Sequence, residues 1–287
     1  MQHTCYVSRK NIGNHLFSYF FAKRVQEMLG PNTCRVTFAG ISDLGLQKEG
    51  LEDPDRPRYF APGVEERIHI KVGNHKPDLS RIAKLAGELP IALHIQGPVC
   101  NLALLPSLEL CRALVPGCKP TMDLAAAKAM PYIDDYLFVH VRAGDILRPI
   151  HRMYMPLPIE FIKAAQKKAS LPLLFYGQTS ESWYIRQLRR SFPDCVILEE
   201  SSNPVVDFEI GRIAQNLLIG VSSFSWLSGW LSLSARNIFL PKVGFLNPEE
   251  RPDINLIPGD DKRFNIVSVD KYENPYDSLA DARKSAL

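Results

Sequence analysis

Short apolar runs alternate with segments of helical periodicity along most of the chain. The runs are rich in aromatic and β-branched residues, which is typical of strands buried on both faces of a parallel sheet. In the second half, the clearest predicted strands are Tyr136–Val141, Leu171–Tyr176, Leu217–Val221 and Asn237–Leu240. Because helical segments separate these runs, the pattern predicts a parallel, doubly wound α/β sheet.

The first half begins with a predicted strand, loop and helix in succession. Cys5–Ser8 is the strand, Arg9–Asn14 is a tight polar loop, and a helix is expected from His15 to Leu29. A strand, a loop containing glycine and a helix in this order open a Rossmann-like unit. A further helix is expected over Leu102–Val115.

Proline and glycine cluster between the two halves, at Pro116-Gly117 and Lys119-Pro120. Such clusters mark loops and domain borders. A chain of 287 residues is long enough for two domains of ordinary size. We therefore predict two Rossmann-like domains with parallel doubly wound sheets, over residues 1–125 and 126–287.

Composition excludes some classes of function. The net charge of +3 comes from 34 basic and 31 acidic residues, without a basic tract, so the sequence does not indicate a nucleic-acid-binding protein. The six cysteines lack zinc-binding spacing, which favours buried thiols in a reducing compartment and a cytoplasmic location. No apolar run is long enough to span a bilayer, and peripheral membrane association stays open.

The first candidate chemistry follows the predicted strand Tyr136–Val141, where Arg142-Ala-Gly-Asp145 is expected to form a turn. Ligands of open α/β sheets bind beyond the carboxyl ends of strands, and the planar, charged arginine side chain suits a diphosphate. Asp145 and His151 are candidate general bases. Alternatively, Asp145 only orients Arg142, and His151 is a surface residue of the loop. The same loop carries Tyr154, a candidate substrate contact.

Two later segments carry polar groups that are expected to converge with Arg142. Ser222 and Ser223 follow a predicted strand and open a helix, where hydroxyls and backbone N–H groups form an anion site. Asp207 lies on a predicted helix and can accept paired hydrogen bonds from the N1–H and N2–H groups of guanine. The ordinary alternatives are helix N-caps for the serines and a first-turn acid for Asp207.

Three segments resemble motifs of the α-1,2-fucosyltransferase family and occur in that family's order. Ile12–Tyr19 resembles the opening L-G-N-Q-M-F-Q-Y, and His140–Asp145 resembles H-x-R-R-G-D. The run Asn216–Leu231 resembles N-S-S-F-S-W-W-x-A-W-L, which follows an acidic helix in the family. Together the three segments extend over most of the chain.

The resemblance implies a GT-B-like fold in which two Rossmann-like domains face a central cleft, with the sugar nucleotide held mainly by the C-terminal domain. It implies inverting, metal-independent transfer of fucose from GDP-fucose to a hydroxyl of a glycan or polysaccharide. No cofactor is expected. The implied contacts are Arg142 with the β-phosphate, His140 and Asp207 with guanine, Ser222 and Ser223 with phosphate oxygens, Phe224 with the donor, and Gly13 and Asn14 along the cleft.

The sequence also departs from the family's motifs. Ala143 stands where the family has a second arginine, Ile146 replaces a tyrosine, and Phe175-Tyr-Gly-Gln178 replaces F-S-D-D. Two alternatives therefore stay open: the same architecture with another nucleotide-sugar donor, and a sugar-nucleotide- or glycan-binding module that does not catalyse. Asp53-Pro54-Asp55 formally matches a metal-binding pattern, but a solvated turn is expected there because no strand precedes it and proline lies within it.

Overall fold

The computed structural model describes residues 2–50, 68–73, 77–148 and 153–276. The chain divides into two compact units, one of Met1–Cys118 with Asp253–Leu256 and one of Lys119–Pro252 with Ile257–Leu287. In each unit the strands pair in parallel and helices connect them. The predicted fold class, α/β with two Rossmann-like domains, is confirmed.

The first unit contains a four-stranded sheet in the order β2-β1-β4-β3. Its strands are β1 His3–Val7, β2 Cys34–Phe38, β3 Ile68–Val72 and β4 Ile91–Ile95. Its helices are α1 Ile12–Leu29, α2 Leu79–Glu88 and α3 Leu108–Leu114.

Helix α1 begins at Ile12, before the predicted start at His15. The backbone N–H of His15 donates to the carbonyl of Asn11 at 2.9 Å, which closes the first turn. Gly13 and Asn14 therefore lie in the first turn of the helix, and the prediction of a loop at these two residues is wrong. The Ser18 hydroxyl lies 3.0 Å from the carbonyl oxygen of Asn14.

The helix predicted over Leu102–Val115 is interrupted. A short 3-10 turn covers Leu102–Leu104, and α3 starts only at Leu108. Pro106 lies between them. Proline has no N–H to donate and disfavours helical geometry in the residue before it. Ser107 then starts the new helix, because its hydroxyl accepts from the Leu110 N–H at 3.2 Å.

The second unit contains a six-stranded sheet in the order β10-β9-β8-β5-β6-β7. Its strands are β5 Leu137–Val141, β6 Leu173–Gly177, β7 Val196–Ile197, β8 Asn216–Leu218, β9 Asn237–Pro241 and β10 Phe264–Val267. Its helices are α4 Lys119–Ala129, α5 Ile159–Ala169, α6 Trp183–Ser191, α7 Pro204–Ile213 and α8 Ser223–Leu231.

The strand order of this sheet reverses between β5 and β8. Strands β5, β6 and β7 progress towards one edge, whereas β8, β9 and β10 progress towards the other. At the reversal β5 and β8 are direct neighbours, with Phe138 opposite Leu217 and Val139 opposite Leu218. Open α/β sheets bind ligands beyond the carboxyl ends of the strands at such a reversal.

The border between the two units lies at Cys118 and Lys119, whereas the sequence placed it between residues 125 and 126, inside α4. Helix α4 packs against α7 of the second unit. Its buried residues Thr121, Ala125 and Ala129 recur at a spacing of four, which places them on one face of the helix. The segment Asp253–Leu256 returns to the first unit, where the carbonyl of Asn255 accepts from the Leu102 N–H at 2.9 Å.

No helix in the part of the chain that the structure describes is both long enough and apolar enough to cross a membrane.

Candidate functional site

Two chain segments with candidate residues leave the sheet at the reversal between β5 and β8. Arg142 is the first residue after β5, and Ser222 lies a few residues beyond the end of β8. The two strands are parallel neighbours, so their carboxyl ends open onto the same edge of the sheet. The two segments, which are far apart in the sequence, therefore begin at the same edge of the sheet.

The start of helix α8 presents hydroxyls and backbone N–H groups. Ser222 is its N-cap residue, and its hydroxyl accepts from the Phe224 N–H at 3.2 Å. A hydrogen bond connects the loop before α8 to the first turn of the helix, because the Ser225 hydroxyl accepts from the Gly220 N–H at 3.1 Å. The N-terminal end of a helix carries a partial positive charge and binds anions. Ser222 therefore has the N-cap role of the ordinary alternative, and its position also suits an anion site.

His140 lies at the buried end of β5, next to the start of α8. Its ring centroid is 5.4 Å from that of Tyr176 and 5.4 Å from that of Phe224. Its Nδ1 atom is buried and makes no hydrogen bond with any described residue. Burial, helped by the positive charge of Arg142, lowers the pKa of His140 to about 3. The imidazole is therefore neutral at physiological pH and can offer one N–H donor to a ligand.

Asp207 lies in the first turn of α7, which begins after the N-cap Asn203. Its side chain is 7% exposed, and among the described residues none forms a hydrogen bond with it. Burial raises the pKa of Asp207 to about 7, while Lys128 opposes the shift and Glu200 adds to it. A buried carboxyl group without a partner is costly, and a ligand that donates hydrogen bonds would remove this cost.

Aromatic contacts connect α7 to the other two elements. The ring of Phe208, the residue after Asp207, meets the ring of Phe224 edge to face at 5.2 Å. Phe224 in turn contacts His140. The end of β5, the start of α8 and the first turn of α7 therefore pack together through the ring cluster of His140, Phe208 and Phe224. The predicted residues Asp207, Ser222 and Ser223 are close to these rings along the chain.

Arg142 is held by a carboxylate of its own loop. Its Nη2 atom lies 2.9 Å from Oδ2 of Asp145, and its Nε atom lies 3.3 Å from Oδ1. The Asp145 side chain is 57% exposed and that of Arg142 is 24% exposed. This geometry is what an orienting role for Asp145 requires, and both roles considered from the sequence stay predictions.

Tyr154 makes contacts other than those of the ring cluster. The ring of Tyr154 stacks on that of Phe245 at 5.4 Å, and its carbonyl accepts from the Tyr276 hydroxyl at 2.6 Å. Gly13 and Asn14 belong to the first unit. Both His151 and the segment Asp53-Pro54-Asp55 are outside the described residues. The functional roles of all these residues stay predictions.

Tyr176 and Gln178 were not among the predicted site residues, although both flank the cluster. Tyr176 is fully buried on β6, and its hydroxyl lies next to that of Ser228, which opposes the rise that burial causes in the pKa of Tyr176. A Cβ atom at Gly211 of α7 would lie only 2.8 Å from the Tyr176 hydroxyl. Gln178 follows β6 and contacts the loop after β5. The sequence signal for Gln178 was the polar run Gly177–Ser180 after a predicted strand, whereas Tyr176 is the last residue of that strand and had no signal of its own.

Within the described ranges, no group of three or more histidine, cysteine, aspartate or glutamate side chains could hold a metal ion. Metal independence stays a prediction.

Comparisons with known proteins show a remote likeness of fold. No protein-family model matches the chain, and a search of curated proteins found no match. Among solved structures, the chain is similar to a mutant of Arabidopsis thaliana FUT1 in complex with GDP, with a sequence identity of 12% and a TM-score of 0.48. The similarity covers 80% of this chain and 68% of that chain.

Proposed function

We propose that the chain is an inverting glycosyltransferase that moves a sugar, fucose from GDP-fucose, onto a glycan hydroxyl. One observation carries the proposal. Arg142 and the serine-lined start of α8 follow the two neighbouring strands between which the sheet order reverses, which is where open α/β sheets bind ligands. The motifs that resemble those of α-1,2-fucosyltransferases contain the same residues.

The diphosphate of the donor is assigned to Arg142 and the start of α8. Asp145 holds the guanidinium through Nε and Nη2, so the Nη1 edge is directed to the ligand in this proposal. The Ser222 hydroxyl accepts one hydrogen bond from Phe224 and retains its own hydrogen for a phosphate oxygen. Ser223 is proposed as the second serine contact.

Guanine is assigned to Asp207 and His140. A carboxylate can accept two parallel hydrogen bonds from the N1–H and N2–H groups of guanine, an edge that adenine and the pyrimidines lack. The raised pKa of Asp207, about 7, reflects burial that the charge of Lys128 offsets only in part. The bound base would supply two donors and would restore the charged form. His140, held neutral by burial, contributes a single directed N–H.

The proposed reaction is a displacement at the anomeric carbon. The acceptor oxygen forms a bond to that carbon, the bond to the diphosphate oxygen breaks, and its electron pair stays on the leaving diphosphate. Arg142 and the helix start stabilise the charge where it develops, an effect commonly worth about 3–4 kcal/mol per donor. The proton of the acceptor hydroxyl passes to a base or to water. Asp145 is assigned to orienting Arg142, which leaves His151 as the candidate base.

The test begins with the stability of the purified protein in the presence of nucleotides. GDP should raise the melting temperature, whereas ADP, CDP and UDP should not, because a ligand that binds only the folded state stabilises it. Arg142→Ala should abolish the shift. Arg189→Ala is the matched control, since Arg189 also pairs with a carboxylate, that of Glu181 at 2.7 Å, but lies on α6.

Incubation with GDP-fucose and a galactoside, followed by detection of free GDP, then separates the remaining possibilities. Release of GDP that depends on the galactoside supports transfer. A melting shift with UDP and none with GDP would indicate another donor. Binding of GDP-fucose without release of GDP, over a panel of acceptors, would indicate a binding module and would contradict the proposed activity.

A further inference from the structure

We infer that Gln178 is a positioning residue for the loop that carries Arg142, and this inference rests on the proposed role of Arg142 in binding the diphosphate. The Gln178 Oε1 atom accepts hydrogen bonds from two consecutive backbone N–H groups, those of Ala143 at 3.0 Å and Gly144 at 2.9 Å. One side-chain oxygen thus fixes the direction of the chain immediately after Arg142.

The backbone of Gln178 is itself held by the sheet. Gly177 of β6 pairs with Val141 of β5, and the Gln178 N–H donates to the Val141 carbonyl at 3.0 Å. The next residue, Thr179, donates its hydroxyl to the carbonyl of Leu198 at 2.7 Å. These hydrogen bonds on either side of Gln178 fix its backbone, and its side-chain amide extends from there to the loop after β5.

Close packing adds to the hydrogen bonds. A Cβ atom at Gly144 would lie 2.6 Å from Nε2 of Gln178, which is too close for any other residue at that position without a shift of the amide. Gly144 has a φ angle of −101°, outside the left-handed region, and a larger residue there would have to displace the flexible amide of Gln178 from its place against the loop. The side-chain amide of Gln178 therefore packs directly against the backbone of the loop at Gly144.

The same loop is fixed at its far end by Asp145. Oδ1 of Asp145 accepts from the Ile146 N–H at 3.0 Å, and the carboxylate also pairs with Arg142. Gln178 orders the two residues that join Arg142 to Asp145, and Asp145 orients the guanidinium. Because no hydrogen bond joins Gln178 to the side chain of Arg142 in the described structure, Gln178 acts through the backbone.

Gln178 and Ala143, which are in contact, are two positions at which the chain departs from the fucosyltransferase motifs. Gln178 stands where the resembling motif has its last aspartate, and Ala143 stands where that motif has a second arginine. In this chain the neutral amide of Gln178 forms hydrogen bonds with a loop that contains one arginine, whereas the resembling motif has two arginines. The two departures are therefore in contact, since the Ala143 N–H is one of the donors to Gln178.

The test compares Gln178→Met, which keeps the length of the side chain and removes the acceptor, with Gln178→Glu, which keeps an acceptor oxygen at the same reach. Gln166→Met on α5 is the matched control, since methionine and glutamine have similar helix propensity. Three quantities are measured on the full chain: hydrogen exchange at the backbone amides of Ala143 and Gly144, the Kd for GDP, and kcat/KM for transfer from GDP-fucose.

In Gln178→Met, exchange at both amides should become at least about tenfold faster, because their hydrogen bonds then open to water. The kcat/KM should fall by roughly tenfold to a hundredfold, the effect expected when a catalytic group moves by about an ångström. Gln178→Glu should keep the amide protection and an activity above that of Gln178→Met. The control should match the wild type.

Unchanged amide exchange in Gln178→Met would overturn the inference, and so would an unchanged kcat/KM in that variant. Failure of the proposed function has a different signature, because the wild type itself would then bind no GDP and transfer no sugar. In that case amide exchange alone decides whether Gln178 positions the loop.

Discussion

The Arg142 guanidinium and the Asp145 carboxylate form a two-point ion pair within the loop after β5, with Nη2 to Oδ2 at 2.9 Å and Nε to Oδ1 at 3.3 Å. More than half of the Asp145 side chain is exposed, so the pair adds little to folding stability. Its consequence is geometric, since it fixes the plane of the guanidinium group and leaves the edge with Nη1 for another ligand.

Arg142→Ala should remove nearly all transfer while the protein stays folded. The loss of one charged donor to the leaving group is expected to lower kcat by about 10²–10³, and the melting temperature should change little because the ion pair is exposed. Steady-state kinetics and circular dichroism measure the two effects, with Arg189→Ala as control. Turnover close to that of the wild type would remove the central assignment.

Asp145→Asn distinguishes an orienting carboxylate from a general base. As an orienting group, Asp145 should affect the size of kcat/KM but not the shape of its pH profile, so the variant should keep the acidic limb of the wild type. As a general base, it should lose about 10²–10⁴ in rate, and the acidic limb should disappear with it. The pH dependence of kcat/KM for both proteins decides between these roles.

The sequence predicted the parts of the site that depend on local patterns. Within the predicted strand Tyr136–Val141, the residues Leu137–Val141 are all buried as their composition indicates, so the position of Arg142 after a strand followed directly. Ser222 before an apolar helix predicted an N-cap. Apolar alternation and capping residues act over a few positions, and a single chain contains that information.

The features that the sequence did not reveal depend on register and on packing between elements. The contact of Gln178 with the loop after β5 exists because Gly177 pairs with Val141, and no local pattern specifies which residues of two strands are opposite. The surroundings of the Tyr176 hydroxyl depend on how α7 packs against β6. The order of the strands, which places β8 next to β5, also follows from the whole fold.

Tyr176→Phe should stabilise the protein. A buried polar group without a well-aligned partner costs about 1–3 kcal/mol, and the Ser228 hydroxyl beside Tyr176 forms no well-aligned hydrogen bond with it in the described structure. Removing it should raise the melting temperature by roughly 2–4 °C per kcal/mol. Affinity for GDP should not change, because the hydroxyl lies beside Gly211 of α7 and Ser228 in the middle of α8, away from the start of that helix.

Tyr184→Phe is the matched control for this substitution. Tyr184 is also deeply buried, but its hydroxyl donates to the carbonyl of Leu157 at 2.5 Å. Its removal should lower stability by about 1 kcal/mol. A melting temperature of Tyr176→Phe below that of the wild type would show that the Tyr176 hydroxyl makes a stabilising interaction and would contradict the expectation.

Ser222→Ala should lower both stability and GDP affinity. The hydroxyl caps α8, so its loss costs about 1 kcal/mol of folding free energy, and a hydrogen bond to a charged phosphate adds about 1.5–3 kcal/mol to binding. Ser182→Ala is the control, because Ser182 caps α6 in the same way, accepting from the Ile185 N–H at 3.3 Å. Equal GDP affinity of the two variants, measured by calorimetry, would limit Ser222 to capping.

Asp207→Asn should change stability and ligand binding in opposite directions. Burial raises the pKa of Asp207 in the folded protein to about 7, above the value of about 4 expected when the chain is unfolded. The folded state therefore binds this proton more tightly, and the stability of the wild type falls as the pH rises from about 4 to about 7. Since asparagine does not titrate, the variant should melt above the wild type at about pH 8 and lose that advantage towards about pH 4.

GDP affinity should follow the charged form of Asp207. Two guanine N–H groups need a carboxylate as acceptor, so the affinity of the wild type should weaken as the pH falls below about 7, by up to about tenfold per pH unit. Asp207→Asn should bind GDP more weakly at high pH and lack this component of the pH dependence. Ionisation of the GDP phosphates affects both proteins alike, so the difference between the two titrations isolates Asp207. Identical titrations would exclude Asp207 as the group that recognises guanine.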